Sequence, residues 1–406
     1  MNGLDVVGHI GKGAIKASPS MSYSYVGKAF LKTLERAEFG RIVVSTPEQQ
    51  HYVIEGKQAG AQAQMHIHDW RAIIAFAARG DIGLAEAYRE GWWDSEDLVA
   101  LMEFGLHNEQ ALDGYLYGNL FSRLATRFFY LFTRNTLKGS RRNIHAHYDL
   151  GNDFYALWLD DSMTYSSAIF SKKTEGLTRA QHRKYDRMLE RLGSESGRML
   201  EIGCGWGGLA ERAMQQGDYD FKGITLSSAQ HAYASARNAG TAQIALEDYR
   251  HQQGRYDHIL SIEMFEAVGE QFWPTYFGKL SALLNQKGKA VIQTITIGEP
   301  YFERYRKGGD MIRSFIFPGG MLPSPTRFQQ EAQRAGLRVS DQYAFGADYA
   351  QTLKHWLSNF DAKLPQVRAL GFDEPFIRLW RLYLAACAAS FTVGRTDVMQ
   401  MELEHA

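Results

Sequence analysis

The chain is short of several things, and each shortage closes off a class of explanation. Two cysteines in 406 residues, Cys204 and Cys387, are too few for a disulfide framework and favour a reducing compartment. There is no excess of either charge: lysine plus arginine and aspartate plus glutamate number 45 each. No global field therefore draws the protein to nucleic acid or to a membrane, and any such attraction must come from a local patch. No apolar run approaches the ~20 residues a bilayer-spanning helix needs. Residues 1–30 carry no apolar core behind a basic start, so no signal peptide is expected. These absences describe a soluble intracellular protein, long enough for two domains with sizeable cores.

What is present centres on Met199-Leu-Glu-Ile-Gly-Cys-Gly-Trp-Gly-Gly208. Met199 to Ile202 is a short apolar run suited to a buried parallel strand. The glycines Gly203, Gly205 and Gly207 follow, and Leu209 to Met214 reads as a helix. Strand, glycine turn and helix open a doubly wound α/β domain, whose ligand sits beyond the carboxyl ends of the strands. A nicotinamide-binding unit would end its second strand in an acid. Here that strand, Phe221 to Thr225, ends in threonine and continues Leu-Ser-Ser-Ala-Gln230. The acids fall elsewhere: Glu201 before the glycines, and Asp248, backed by Tyr249, after a third strand at Ala242 to Leu246. That distribution suits S-adenosylmethionine, which has an amino-acid head, a ribose and an adenine to hold but no pyrophosphate.

The first ~140 residues read differently. Alternating stretches such as Tyr52-Val-Ile-Glu and Met65-His-Ile-His suggest a small sheet, and helical spacing follows at Trp70, Ile73, Ile74 and Phe76 and at Leu98, Leu101, Met102 and Leu106. Segregated strands and helices imply an α+β domain, with Lys138-Gly-Ser-Arg-Arg142 as the linker. His66, His68 and Asp69, like His145 and His147, have metal-like spacing but too few ligands for zinc, so no metal site is expected. Residues 114–138 place Leu116, Leu120, Leu124, Phe128 and Leu131 on one helical stripe and Arg123, Arg127, Arg134 and Lys138 on another. Such a helix fits a membrane-surface anchor, and equally a core-packing helix with a solvated basic face.

From His147-Tyr-Asp-Leu-Gly-Asn-Asp-Phe-Tyr155 and Leu159 to Phe170 onward, the chain resembles the cyclopropane fatty acid synthase family of methyltransferases. The resemblance runs through the Glu201–Gly208 and Thr225–Gln230 motifs, Asp248-Tyr-Arg250 and Ser261-Ile-Glu-Met-Phe-Glu-Ala-Val-Gly269. It continues in Phe315 to Ser324 and Phe345-Gly-Ala-Asp-Tyr349. It covers residues 143–395, and the Gly91-Trp-Trp-Asp94 turn resembles the N-terminal domain of full-length bacterial members. It implies a class I methyltransferase fold: a Rossmann-like, doubly wound, seven-stranded sheet over residues 141–406, beside a smaller α+β domain at 1–140 that contacts lipid. The implied reaction methylates a cis double bond of a phospholipid acyl chain from S-adenosylmethionine and closes a cyclopropane ring. The implied setting is cytoplasmic, peripheral to the inner face of the membrane, with a homodimer left open and no nucleic-acid partner.

For the cofactor, the resemblance carries over Tyr165, Ser166, Glu201, Gly203, Gly205, Thr225, Gln230, Asp248 and Tyr249. For the base that closes the ring it implies a bicarbonate ion, held by Glu266, Tyr349, the residue at Gln293, and backbone groups at Ser167 and Ile295. Two spellings depart from the common bacterial pattern: Gln293-Thr-Ile295 replaces His-Thr-Ile, and Tyr165-Ser-Ser167 replaces Tyr-Ser-Cys. Glutamine can still donate to an anion but cannot titrate near neutral pH. A methylene, methyl or furan-precursor chain without ring closure therefore stays open as the product. So do a methyltransferase for a soluble small molecule and a catalytically inactive lipid-binding protein. The insertion at 298–330 suits a lid or an acyl-chain tunnel.

Replacing Arg123, Arg127 and Arg134 together by glutamate should weaken binding to anionic vesicles, the loss shrinking as salt rises. Vesicle co-sedimentation at low and high salt checks this. Indifference to the substitutions would assign the stripe to core packing.

Overall fold

The structure is a computed structural model that describes residues 8–9, 23–116 and 150–406. The expected linker at 138–142, His145, His147 and all but the first three residues of the 114–138 stripe lie outside the described residues. Contacts divide the chain into two compact units. The first comprises residues 1–129, 308–314 and 371–393, and the second 130–307, 315–370 and 394–406. The expectation of one boundary near residue 140 thus meets a division in which two later segments join the N-terminal unit.

The first unit holds a sheet of β1 (Gly8–His9), β2 (Phe39–Ser45), β3 (His51–Glu55), β4 (Gln58–Ile67) and β5 (Trp93–Asp94), in the order β1-β3-β2-β4-β5. Burial alternates residue by residue along β2, as a strand with one covered face requires. The helix Glu374–Thr392 packs on the helices Leu98–His107 and Asp81–Arg89. Its Arg378 explains the tryptophan turn: the guanidinium lies 4.0 Å over the Tyr88 ring and donates to the Trp93 carbonyl at 2.8 Å and to Asp94 at 3.2 Å. Segment 308–314 joins the same unit through Met311, whose N–H donates to the half-buried Asp81 at 3.0 Å. His66 and His68 approach Glu96 and Asp94 at 4.0 and 3.6 Å, and no metal-holding group occurs among the described residues.

The second unit is the doubly wound α/β domain. Its strands are β6 (Ser196–Ile202), β7 (Asp218–Thr225), β8 (Gln243–Leu246), β9 (Tyr256–Ile262), β10 (Leu284–Ile297), β11 (Leu337–Ala344) and β12 (Thr396–His405). They form a seven-stranded sheet in the order β11-β12-β10-β9-β6-β7-β8, parallel except for β12, which runs antiparallel to β10 and β11. Chain order reverses beside β6, which pairs with both β7 and β9, so the ligand crevice opens beyond the carboxyl ends of these strands. Met199, Leu200 and Ile202 are buried, as the apolar run requires. The insertion contains a helix at Glu299–Lys307, a π turn at Ile312–Ile316 and a helix at Pro325–Arg334.

The loop after β9 is anchored by Phe265, which is fully buried with its ring 5.0–5.4 Å from those of Trp273, Tyr276, Phe277 and Phe328. Because Phe265 sits between two carboxylates of that loop, its packing sets where both point. Phe265→Ala should destabilise the protein by about 3–5 kcal/mol through lost transfer energy and a cavity. Chemical denaturation measures this, and a loss below about 1 kcal/mol would mean that the loop does not depend on the ring.

Candidate active site

The crevice at the switch point is a pocket lined by Tyr165, Ser166, Glu201, Gly203, Gly205, Thr225, Gln230 and Tyr249 among others. At Gly205 φ is +51°, and a Cβ there would meet nothing within 4 Å, so a ligand can come close to the backbone. At Gly203, φ +84°, a Cβ would stand 2.9 Å from Met264 Cγ. Thr225 donates its hydroxyl to Gln230 Oε1 at 2.9 Å, and Ser227 caps the helix that carries Gln230. The pocket fits the expected cofactor on an observation of its own. Oε2 of Glu201 is buried without a hydrogen-bond partner, and Glu201 lines the wall. Burial pushes its carboxyl up to about 8, with the charge of Lys184 opposing. An ammonium group on the ligand would supply the missing donor and hold the carboxylate ionised.

Two further carboxylates, Glu263 and Glu266, come from the loop after β9. Glu263, itself a pocket residue, is held by donors from separate elements. Its Oε1 accepts from the Ser167 N–H at 2.9 Å and from Gln293 Nε2 at 2.8 Å, and its Oε2 accepts from the Tyr349 hydroxyl at 2.6 Å. Its φ is +49°, in the left-handed region that a side chain rarely adopts. Glu266 lies apart from that cluster of donors: its Oε1 accepts from the Ile295 N–H and, at 3.1 Å, from the Thr294 hydroxyl. Its Oε2 is buried without a partner. Burial, and then the neighbouring charge of Glu263, push Glu266 up to about 8. Burial also raises Glu263, but the hydrogen bonds of Tyr349, Ser167 and Gln293 and the charge of Lys184 act to keep it ionised.

The orientation of Gln293 is dictated from the sheet. Arg187 can only donate, and it donates to Gln400 Oε1 at 2.6 Å. That turns the Gln400 amide nitrogen to Gln293 Oε1 at 3.0 Å, which in turn aims Gln293 Nε2 at Glu263. Gln293 and Gln400 are register partners on β10 and β12. Lys184, fully buried, donates to Ser166 Oγ at 2.7 Å. Burial pulls its amine down to about 7 against the attraction of Glu263, Asp160 and Glu201. Around Tyr165 the rings of Tyr155, Trp158 and Trp356 stand 5.3–5.5 Å away, and Trp356 is 6.0 Å from Tyr349.

Two expectations need correcting. Glu266, Gln293 and Tyr349 do not converge on one point: Gln293, Tyr349 and the Ser167 amide converge on Glu263, while Glu266 takes the Ile295 amide. The loop places Glu263 at the end of β9, facing β10, and turns through Phe265 before reaching Glu266. Asp248 does not line the pocket, although Glu247, Tyr249 and Arg250 do. Its carboxylate caps the turn Tyr249–His251 and binds the Arg250 guanidinium, with Nε at 2.9 Å. Sequence reasoning also passed over Glu263 and Lys184. Glu263 stood in a motif already noted, and Lys184 is a charge at a core position of the helix Leu177–Leu192, among buried Ala180, Tyr185 and Met188.

Comparison with known proteins follows the same lines. The family described as mycolic acid cyclopropane synthetase matches residues 135–401. Tuberculostearic acid methyltransferase UfaA1 of Mycobacterium tuberculosis is 37% identical over 341 residues, 80% of this chain and 79% of that one. Cyclopropane-fatty-acyl-phospholipid synthase of Escherichia coli is 34% identical over 329 residues, 79% of this chain and 82% of its own. Among solved structures, the mycolic acid cyclopropane synthase CmaA1 complexed with SAH and CTAB superposes with a TM-score of 0.60 at 32% identity. It covers 65% of this chain and 97% of that one. Cyclopropane synthase MmaA2 of M. tuberculosis gives 0.61 at 30%, with the same coverage.

With its carboxyl pushed up to about 8, Glu266 is mostly protonated in the fold at pH 7 but ionised in the unfolded chain, where carboxyls titrate near ~4.3. Its contribution is fully present below that unfolded value and is lost as pH rises through about 8. Glu266→Gln keeps an acceptor for Ile295 and Thr294 but cannot ionise. Its stability should therefore decline less than that of the parent between about pH 5 and 8, by up to about 1.4 kcal/mol per pH unit. Urea midpoints at the two ends of that range measure it, and parallel slopes for the two proteins would contradict a neutral Glu266.

Proposed function

The chain belongs to the mycolic acid cyclopropane synthetase family, and we propose that it is a methyltransferase that converts a cis double bond of a phospholipid acyl chain into a cyclopropane ring. The observation that carries the reading is a pocket fitted to the cofactor whose wall includes a carboxylate held by side-chain donors, a group able to accept a proton. Bound in that pocket, S-adenosylmethionine supplies an electrophilic methyl group. Everything else falls to the residues. Gly203 and Gly205 let the ligand approach the backbone, Thr225 and Gln230 offer polar contacts to its ribose and amino-acid ends, and Glu201 offers an acceptor to its ammonium. Tyr249 suits the adenine side.

Methyl transfer leaves positive charge on a substrate carbon. The ring of Tyr165, which lines the pocket and is backed by the buried rings of Tyr155, Trp158 and Trp356, offers a face to such a charge at about 0.5–2 kcal/mol and helps to exclude the water that would capture it. Tyr349, Gln293 and the Ser167 amide hold an acceptor in place while the proton leaves. No helix among the described residues is long and apolar enough to cross a membrane. Access to phospholipid is proposed to be peripheral, at the cytoplasmic face, with the basic stripe at 114–138 as the segment that meets it.

A second reading, an open methyl- or methylene-branched chain, is favoured by the likeness to tuberculostearic acid methyltransferase UfaA1. Lipid mass spectrometry and proton NMR after expression with unsaturated phospholipids separate the two. The ring product is one CH2 heavier than its parent and has no remaining double bond. A methylene product has the same mass but keeps a double bond, and a methyl product is two hydrogens heavier. Unaltered lipids, in cells where the protein binds S-adenosylmethionine, would overturn both.

A further inference from the structure

Ring closure needs a base, and the family resemblance assigns that work to a bound bicarbonate. The residues of this chain do not fit the ion. The Tyr349 hydroxyl, the Gln293 amide and the Ser167 N–H, expected to hold it, all donate to the carboxylate of Glu263 at 2.6–2.9 Å. The remaining expected donor, the Ile295 N–H, is taken by Glu266. Bicarbonate could enter only by displacing Glu263. That would leave two anions and the Glu266 carboxyl together in a buried space, where like charges repel strongly and each ion loses its hydration.

We propose that the carboxylate of Glu263 is itself the base of the reaction, standing where a bicarbonate would otherwise be held. The inference rests on the acyl-chain reading above. Oε1 is engaged by two N–H donors, whereas Oε2 receives one hydroxyl and keeps a lone pair for a proton. Glu263 lines the cofactor pocket, the place where the methyl group arrives. Its φ of +49° lies in the region a side chain rarely adopts, and such strain persists where the surroundings impose it. Glutamine at 293 then makes sense as a donor locked in one orientation by Gln400 and Arg187. It positions the base and has no need to titrate.

The step balances. The C–S bond to the transferred methyl breaks and a C–C bond to one alkene carbon forms, moving the positive charge to the other carbon. A C–H bond of the new methyl then breaks, its electron pair closes the second ring bond, and the proton passes to Glu263 Oε2. The products are the ring, the demethylated cofactor and a neutral Glu263, which returns its proton to solvent before the next turnover.

The test compares wild type, Glu263→Gly and Glu263→Gln in buffer stripped of carbon dioxide and in the same buffer with millimolar bicarbonate. Wild type should run at the same rate in both. Glu263→Gly suits the positive φ and vacates the three donors, so it should fall by about 100-fold without bicarbonate and recover substantially with it. Glu263→Gln keeps the bulk and cannot accept a proton, so it should be slow in both. S-adenosylmethionine affinity, measured by calorimetry, reports folding and should be nearly unchanged. As a readout independent of turnover, 13C NMR of labelled bicarbonate should show binding to Glu263→Gly and none to wild type. A wild type that slows without bicarbonate, or that binds it, would overturn the proposal, as would Glu263→Gln at full rate. If Glu263→Gly fails to bind the cofactor, the glutamine variant and the wild-type titration decide alone. A wild type inert toward unsaturated phospholipid would count against the acyl-chain reading instead, while bicarbonate binding would still decide the role of Glu263.

Discussion

A carboxylate can be kept charged in a protein interior only if donors replace the water it has lost. In the second unit that problem centres on Glu263, whose burial raises its carboxyl while hydrogen bonds from Tyr349, Ser167 and Gln293 and the charge of Lys184 oppose the shift. Glu263 sits at the end of β9, its donors come from the loop at Ser167, from β10 and from the helix Gly346–Ala362, and each must be held to within a few tenths of an ångström. Hydrogen bonds to a charged group contribute about 1.5–3 kcal/mol each when satisfied, and losing one partner exposes the full desolvation penalty of the other. The surrounding titratable groups fall into line. Lys184 brings a cation whose burial favours giving up its proton, and Glu266 is pushed up first by its own burial and then by the charge of Glu263.

The same constraint reaches into the sheet. A glutamine amide can present either end, so a glutamine that must donate needs something to exclude the flipped orientation. The antiparallel strand β12 supplies it: Gln400 opposes Gln293 in register, and Arg187, unable to accept, fixes which way Gln400 points. A strand inserted antiparallel between β10 and β11 thus also sets the polarity of a hydrogen bond at the pocket. The glycine turn works by the opposite means. It clears side chains away so that a ligand can reach the backbone, beside a wall that includes Glu201, whose Oε2 is buried without a partner.

Much of this could be read from the residues alone, because some sequence signals are local. The Met199–Gly208 stretch encodes strand, turn and helix within ten residues, and the strand, the switch point and the glycines appear where that pattern puts them. The Thr225–Gln230 motif is similarly local, and both of its ends line the pocket. What stayed hidden depends on direction rather than composition. Ser261 to Gly269 contains two glutamates three residues apart, and only the turn through buried Phe265 decides which of them meets Tyr349 and Gln293. Asp248 has a suitable type and position, but the arginine two residues on captures it. The membership of segments 308–314 and 371–393 in the first unit rests on contacts such as Arg378 with Trp93 and Met311 with Asp81, between residues more than two hundred positions apart. No window of sequence contains both members of such a pair.

The most direct measurement is a crystal structure of the S-adenosylhomocysteine complex, grown with bicarbonate in the solution. The account predicts the Glu263 carboxylate within hydrogen-bond distance of Tyr349, Gln293 and the Ser167 amide, with no planar anion between them. A carbonate-shaped density held by Tyr349 and Gln293, with Glu263 turned away, would contradict it.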